Sequence, residues 1–255
     1  MRAAAVAVAS LALAACAGGG ARTAGVAGSA HTAAGPGDLR IAARPGAGRG
    51  RDCAPGTHTL RLGGGYTALM RVTAGGSGPR TLLLALHGSG DTAGGGLWIF
   101  RAAWDEPGLV LLAPNSAGGS WSLANGDLAA IDRSLRRAFA RCRIAPARVA
   151  VGGFSAGAAL AVLLGLANGR LFHAVVALSP GDSLPPHRTG KPRVFVAHGR
   201  HDRSIPIAQG GDALVPRLRR LGYRVVYDRF RDGHAVPREV SEAAVRWLLR
   251  GFRGG

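Results

Sequence analysis

The chain has 255 residues, of which 47% are hydrophobic and 18% charged. This length and composition allow one well-sized hydrophobic core and exclude a disordered or fibrous protein. The formal net charge of +18 would suit nucleic acid or an anionic surface. The charge is almost all arginine, with Lys191 the only lysine, and it contains no dense basic run. We therefore predict no nucleic-acid partner, while anionic lipid or an acidic wall polymer stays open as a partner.

The first sixteen residues have the pattern of an export signal. Arg2 is positive, residues 3–15 are apolar but too short to span a bilayer, and the stretch ends in Leu-Ala-Ala-Cys at Cys16. This ending resembles the lipobox of bacterial lipoproteins, in which the cysteine sulfur carries the lipid. The resemblance implies a signal peptide over residues 1–16 and export to the cell envelope, with a membrane anchor through lipidated Cys16. The alternative is a soluble secreted protein with an incidental cysteine.

Residues 17–55 form a segment of Gly, Ala, Pro and Arg with few large apolar side chains. Such a composition does not offset the entropy of ordering, so we predict a flexible tether before a folded domain over residues 56–252. With Cys16 consumed by lipid, Cys53 and Cys142 remain as an even pair in an oxidising compartment. A disulfide is one interpretation and two unpaired thiols are the other, because sequence does not show whether their Cα atoms approach.

The folded domain alternates between strand and helix patterns. Residues 58–62 and 67–72 flank three glycines and predict a β-hairpin. Apolar runs without polar alternation predict buried strands at residues 81–86, 109–113, 149–153, 174–178, 194–197 and 223–230. Helical spacing predicts helices at residues 128–142, 156–168, 213–221 and 239–249. The pattern predicts an α/β fold with a mostly parallel, doubly wound sheet and helices on both faces, whose ligands gather beyond the carboxyl ends of the strands.

A candidate nucleophile follows the predicted strand at residues 149–153. Ser155 lies in Gly-Phe-Ser-Ala-Gly, between that strand and an Ala- and Leu-rich helix. G-x-S-x-G in this context is typical of a nucleophile elbow, a tight turn that lifts the serine hydroxyl out of the sheet. The helix N-terminus supplies partial positive charge where an oxyanion would form, and the Ala156 amide points there.

A serine hydroxyl needs a base within hydrogen-bond reach, and in such an arrangement the acid and the base follow the serine in chain order. His234 comes after the strand at residues 223–230 and is the predicted base, because the other histidines come too early or crowd other loops. Asp202, after the strand at residues 194–197, is the predicted acid. Asp182 is its alternative, whereas Asp228 and Asp232 are predicted to be surface or turn residues.

The glycine-rich segment at residues 86–92 follows the strand at residues 81–86. Glycine lets a backbone approach a substrate closely, so we predict the amide of Ser89 as a second oxyanion donor, paired with that of Ala156.

Residues 114–125 are predicted to lie over the substrate pocket, with Trp121 as a wall of the substrate site. The segment is too short for a large lid, which favours small or extended substrates. Trp98 and Trp104 are predicted to pack in the core. Neither H-E-x-x-H nor zinc-type cysteine spacing occurs, so no metal or other cofactor is predicted.

Four motifs, in order, carry a resemblance to a known family: LHGSGDTAGGGLW, GGFSAGAA, AHGRHDRSIP and DGHAVP. They resemble the phospholipase/carboxylesterase family of serine hydrolases, which includes acyl-protein thioesterases, and more distantly polyhydroxyalkanoate depolymerase-type esterases. The resemblance covers residues 58–251. It implies an α/β-hydrolase fold, a triad of Ser155, Asp202 and His234, and an oxyanion hole formed by the amides of Ser89 and Ala156.

The predicted function is that of a carboxylesterase acting on a small-molecule ester through an acyl-enzyme. A thioesterase or a polyester depolymerase on the same triad is the alternative within enzymes. The thioesterases usually have glutamine after the nucleophile, where this chain has Ala156, and this difference leaves the substrate preference open. A non-enzymatic alternative is an inactive hydrolase-fold lipoprotein that binds the cell envelope. The sequence leaves the oligomeric state open.

Overall fold

The computed structural model describes residues 39–46 and 53–253, so the predictions for residues 1–38, including lipidation at Cys16, lie outside the described residues. Strands and helices alternate along the described chain. They are β1 (Gly56–Gly63), β2 (Tyr66–Val72), β3 (Arg80–Leu86), α1 (Ala93–Ile99), β4 (Leu109–Pro114), α2 (Asp127–Arg141), β5 (Ile144–Phe154), α3 (Ala156–Ala167), β6 (Ala174–Leu178), β7 (Arg193–Gly199), α4 (Gly211–Arg220), β8 (Val225–Phe230) and α5 (Arg238–Arg253).

The strands form one eight-stranded sheet in the order β1-β2-β4-β3-β5-β6-β7-β8. β1 and β2 are the predicted antiparallel hairpin, β2 runs antiparallel to β4, and the strands from β3 to β8 are parallel. The predicted mostly parallel, doubly wound α/β fold is therefore confirmed. Several boundaries differ from the predicted ones, and among the strands the largest difference is at β5, which begins at Ile144 rather than at residue 149 and pairs Ile144 with Arg80.

Helices cover both faces of the sheet, as the apolar strands require. Alternate residues of a strand point to opposite faces, so Leu82 and Leu84 join the core beneath α2, α3 and α4, whereas Leu83 joins the core beneath α1 and α5. All three leucines are fully buried. Each such side chain stabilises the fold by about 2 kcal/mol relative to an exposed one.

The segment at residues 39–43 packs against the domain, and the prediction that residues 17–55 form a flexible tether is wrong for this part. The side chains of Leu39 and Ile41 are buried in the core cluster beside α2 and α3. Asn168 accepts a hydrogen bond from the Ile41 amide at 2.9 Å and donates one to the Leu39 carbonyl at 2.8 Å. Asp132 accepts two further amides of the segment. The composition does not reveal these partners because they lie on distant helices.

A disulfide joins Cys53 to Cys142, with their Cα atoms 4.9 Å apart. The structure therefore supports the first of the two interpretations of this cysteine pair. It connects the segment before β1 to the end of α2 across a sequence separation of 89 residues. On the loop-entropy account, a crosslink of this span stabilises the folded chain by about 4 kcal/mol.

Trp98 is 57% exposed, so the prediction that it packs in the core is wrong. It lies on α1, whose buried face includes Ala93 and Leu97. The guanidinium carbon of Arg101 lies 4.9 Å from the centroid of the Trp98 ring. Trp104 is partly buried against the core, and its indole donates to the Leu97 carbonyl at 3.3 Å. A helix of two turns buries only one stripe, and Trp98 lies outside that stripe.

Two absences hold for residues 39–46 and 53–253. No helix there is both long enough and apolar enough to cross a membrane. No group of three or more His, Cys, Asp or Glu side chains there is arranged to hold a metal ion.

Candidate active site

The loops at the carboxyl end of the parallel strands carry the candidate residues. Ser155 directly follows β5, Asp202 follows β7, His234 follows β8 and Ser89 follows β3. Because these strands are parallel and lie in one sheet, their carboxyl ends share one edge. Residues far apart in sequence are thereby brought to one place.

Ser155 occupies a strained turn between β5 and α3. Its φ of 55° and ψ of −121° lie outside the regions that most L-residues adopt. The glycine two residues later makes the turn possible, because a methyl group at Gly157 would overlap the carbonyl oxygens of Leu86 and His87. The Ser155 amide donates to the Leu178 carbonyl at 3.0 Å. These constraints hold the serine above the edge of the sheet.

The structure brings together the hydroxyl, the imidazole and the carboxylate that the sequence predicted. The Ser155 hydroxyl donates to Nε2 of His234 at 2.9 Å, and Nδ1 of His234 donates to Oδ2 of Asp202 at 2.6 Å. The ring of Phe154 lies against the His234 ring, with centroids 4.6 Å apart. The alternative acid, Asp182, instead forms an ion pair with Arg217.

Asp202 is held as a buried carboxylate. Its side chain is fully shielded from solvent, and Oδ1 accepts the amides of Ser204 and Ile205, each at 2.9 Å. Burial by itself raises the pKa of Asp202, but the hydrogen bonds from His234 and Ile205 and the attraction of His234 and His198 outweigh it. The net effect lowers the pKa of Asp202, which keeps it charged opposite the imidazole.

Two backbone segments border Ser155 where an oxyanion would form. Ala156 is the first residue of α3, so its amide has no partner within the helix. On the other side, a methyl group at Gly88 would lie 3.6 Å from Cβ of Ser155. The adjacent amides of Gly90 and Asp91 bond to main-chain carbonyls. The Ser89 amide is not the donor in either of these two hydrogen bonds. It lies in the segment that passes the nucleophile.

Trp121 contacts the segment after β3. Its indole Nε1 donates to the carbonyl of His87 at 2.8 Å, and the two rings lie 4.6 Å apart. The hydroxyls of Ser89 and Ser120 share a hydrogen bond at 2.8 Å. The loop predicted to cover the pocket is thus attached to the segment that carries a candidate oxyanion donor. Direct contact of Trp121 with substrate stays a prediction.

Sequence reasoning missed Asp127, which shapes this loop. The carboxylate is buried at the start of α2 and accepts the amides of Ala117 and Ser122, each at 2.9 Å. An acidic residue in the first turn of a helix, directly after Gly126, was the available signal. The Asp127 carboxylate therefore holds the loop at two points, Ala117 and Ser122, against the start of α2.

The fold places the chain in a known class of protein. It is similar to solved structures of esterase PE8 (23% identity, 71% of this chain and 96% of the other, TM-score 0.60) and of a Bacillus cereus carboxylesterase (19%, 74% and 96%, TM-score 0.57). An S-formylglutathione hydrolase of Staphylococcus aureus also matches (13%, 76% and 96%, TM-score 0.62). These similarities show the α/β-hydrolase fold.

A family model matches part of the sequence. Residues 123–248 match the model of the family described as Phospholipase/Carboxylesterase, the family that the motifs resemble. The matched part includes Ser155, Asp202 and His234, whereas Ser89 and Trp121 precede it. No curated protein sequence matches the chain.

Proposed function

We propose that this chain is a serine hydrolase that cleaves carboxylic esters. The observation that carries the proposal is the continuous hydrogen-bonded line from the Ser155 hydroxyl through His234 to Asp202, with distances of 2.9 and 2.6 Å. The Asp202 carboxylate at one end is buried, whereas the His234 side chain in the middle is 20% exposed. A nucleophile, a base and an orienting acid in this order suit acyl transfer.

The reaction has two steps, acylation of Ser155 and hydrolysis of the acyl-enzyme. Ser155 Oγ attacks the ester carbonyl carbon while Nε2 of His234 takes the hydroxyl proton. The amides of Ser89 and Ala156 stabilise the oxyanion, and Asp202 stabilises the imidazolium and its orientation. The tetrahedral intermediate expels the alcohol, which receives the proton from His234. Water then attacks the acyl-enzyme by the same route and releases the carboxylic acid.

The comparisons favour an ester as the substrate. Two of the similar structures are described as an esterase and a carboxylesterase, and the family model carries the description Phospholipase/Carboxylesterase. A thioesterase or a polyester depolymerase would use the same groups, so a panel of esters and thioesters of increasing acyl length distinguishes them. The short, attached loop at residues 115–126 favours small or extended substrates.

Replacement of the nucleophile tests the proposal. Ser155→Ala should lower kcat by a factor on the order of 10⁶ against p-nitrophenyl esters, because the triad acts as a unit. Ser77→Ala, an exposed serine between β2 and β3, is the matched control and should retain full activity. A folded Ser155→Ala protein with most of its activity would refute the mechanism.

Covalent labelling separates the enzyme from the non-enzymatic envelope-binding alternative. The similar Thermogutta terrifontis esterase 2 (17% identity, TM-score 0.62) is described as phosphonylated by cyclosarin. We expect a fluorophosphonate probe to react likewise, forming a bond from Ser155 Oγ to phosphorus with loss of fluoride. Absence of labelling in folded protein, together with no ester hydrolysis, would favour the binding protein.

We also propose export and lipid anchoring through Cys16. The Leu-Ala-Ala-Cys ending supports this, and so does the Cys53–Cys142 disulfide, which suits an oxidising compartment. Metabolic labelling with an alkynyl fatty acid should mark the full chain in the membrane fraction of a bacterial host and fail for Cys16→Ser. Unlabelled protein in the culture medium would instead support a soluble secreted form.

A further inference from the structure

A second imidazole lies beside the carboxylate of Asp202. His198, near the end of β7, is completely buried. Its Nε2 donates to the carbonyl of Ile205 at 2.9 Å and lies 3.3 Å from Oδ2 of Asp202. On the far side of the ring, Nδ1 accepts the amide of Gly211 at 3.1 Å. The mechanism described above does not use this group.

The hydrogen bonds determine the protonation state of the His198 ring. An amide can only donate, so the bond from Gly211 requires Nδ1 to carry no proton, and the remaining proton lies on Nε2. Gly211 is the first residue of α4, so Nδ1 accepts one of the amides at the start of that helix. His198 is therefore a neutral donor whose N–H edge faces the Asp202 carboxylate.

The ring packs closely against the backbone at Gly210. A methyl group at Gly210 would overlap Cε1 of His198 and lie 2.5 Å from the carbonyl oxygen of Pro180. Three carboxylates on the elements around it form ion pairs. They are Asp202 with His234, Asp212 of α4 with Arg229 of β8, and Asp182 after β6 with Arg217 of α4.

Ile205 links His198 to the acid by its backbone. Its carbonyl accepts from His198, and its amide donates to Oδ1 of Asp202. The same imidazole therefore fixes the loop that supplies a donor to one carboxylate oxygen and places a polar N–H edge near the other oxygen.

We infer that His198 is a positioning residue for the acid, which holds residues 202–205 against β7 and offsets part of the charge that Asp202 presents to His234. The inference rests on the proposed function of Ser155, Asp202 and His234. Without the N–H of His198, more of the Asp202 charge acts on the imidazolium of His234. His234 then keeps its proton to higher pH, and the reaction loses its base over that range.

The test compares pH profiles of kcat/KM for a p-nitrophenyl ester. His198→Leu should move the acidic limb upward by about half a pH unit and lower the plateau about tenfold, because the Ile205 carbonyl loses its donor. His198→Gln, whose amide can still donate to that carbonyl, should restore most of the plateau. His173→Leu is the matched control, since His173 directly precedes β6 and therefore lies at the amino ends of the parallel strands, away from the candidate active site.

The inference is overturned if the acidic limb of the kcat/KM profile does not move in folded His198→Leu protein, or if His173→Leu moves it equally. If His198→Leu does not fold, ¹⁵N spectra of the unsubstituted full chain decide the matter. The His198 ring should remain the neutral Nε2–H tautomer as the pH falls through the acidic limb, and protonation together with His234 overturns the inference. Absence of ester hydrolysis by the unsubstituted chain is a different failure, that of the proposed function, and the tautomer spectra separate the two.

Discussion

The indole N–H of Trp121 and the main-chain carbonyl of His87 are joined by a hydrogen bond of 2.8 Å, and the two side-chain rings lie against each other. This contact connects the loop after β4 to the segment after β3. The segment then passes Ser155 at Gly88 and continues to the amide of Ser89. The position of a candidate oxyanion donor therefore depends on a tryptophan more than thirty residues away in sequence.

Trp121→Phe keeps an aromatic ring but removes this donor. We expect kcat to fall about tenfold with KM changed less than twofold, because loss of a whole oxyanion donor costs a factor of roughly 10² to 10³ and a displaced donor costs less. Steady-state kinetics with a p-nitrophenyl ester measure the effect. Trp98→Phe, at an exposed position on α1, is the control. A rise in KM alone would instead identify Trp121 as a wall of the substrate site.

Gly157→Ala should destabilise the protein by about 3 kcal/mol and abolish ester hydrolysis. The added methyl group would overlap the carbonyl oxygens of Leu86 and His87, and backbone atoms there cannot move without displacing the nucleophile turn. Urea unfolding and activity are measured together. Gly181→Ala, where a methyl group meets no atom within 4 Å, is expected to change stability by less than about 0.5 kcal/mol. Equal stability of both variants would contradict the close-packing argument.

Asp202 links stability to pH. Its pKa is lower in the folded protein than its ordinary value of 3.8, so the charged form stabilises the fold above that pH. The contribution is lost as the pH falls from 3.8 through the folded-state pKa. Asp202→Asn should therefore be less stable than the unsubstituted chain at pH 7, and the difference should shrink below pH 3.8. Urea unfolding across this range tests it, with Asp232→Asn as an exposed control, and a constant difference would count against it.

Asn168→Ala should release residues 39–43 from the domain. The substitution removes partners from the Ile41 amide and the Leu39 carbonyl, at a cost of about 2 kcal/mol. Trypsin should then cut after the exposed Arg40 about 30-fold faster, because cleavage follows the population of the opened segment. Mass spectrometry of the fragment that begins at Ile41 measures the rate. Gln209→Ala, an exposed amide elsewhere, should leave the rate unchanged.

Local patterns were enough to predict much of the molecule. The strands at residues 81–86 and 174–178 are continuous apolar runs, and such runs indicate burial on both faces wherever they occur. Ser155 could be selected because its glycines and the flanking strand and helix lie within about a dozen residues. Trp98 was misassigned because the sequence does not show which stripe of so short a helix meets the core.

By itself, the sequence determined the alternation of elements, the α/β fold and the order of nucleophile, acid and base candidates, because these depend on residues close together in the chain. Only the tertiary structure decided that Asp202 rather than Asp182 contacts His234, that Cys53 meets Cys142, and that residues 39–43 pack on the domain. Each of these is a contact between residues tens of positions apart. Such a contact is set by the order of strands in the sheet and the packing of helices on it, and no local pattern records that arrangement.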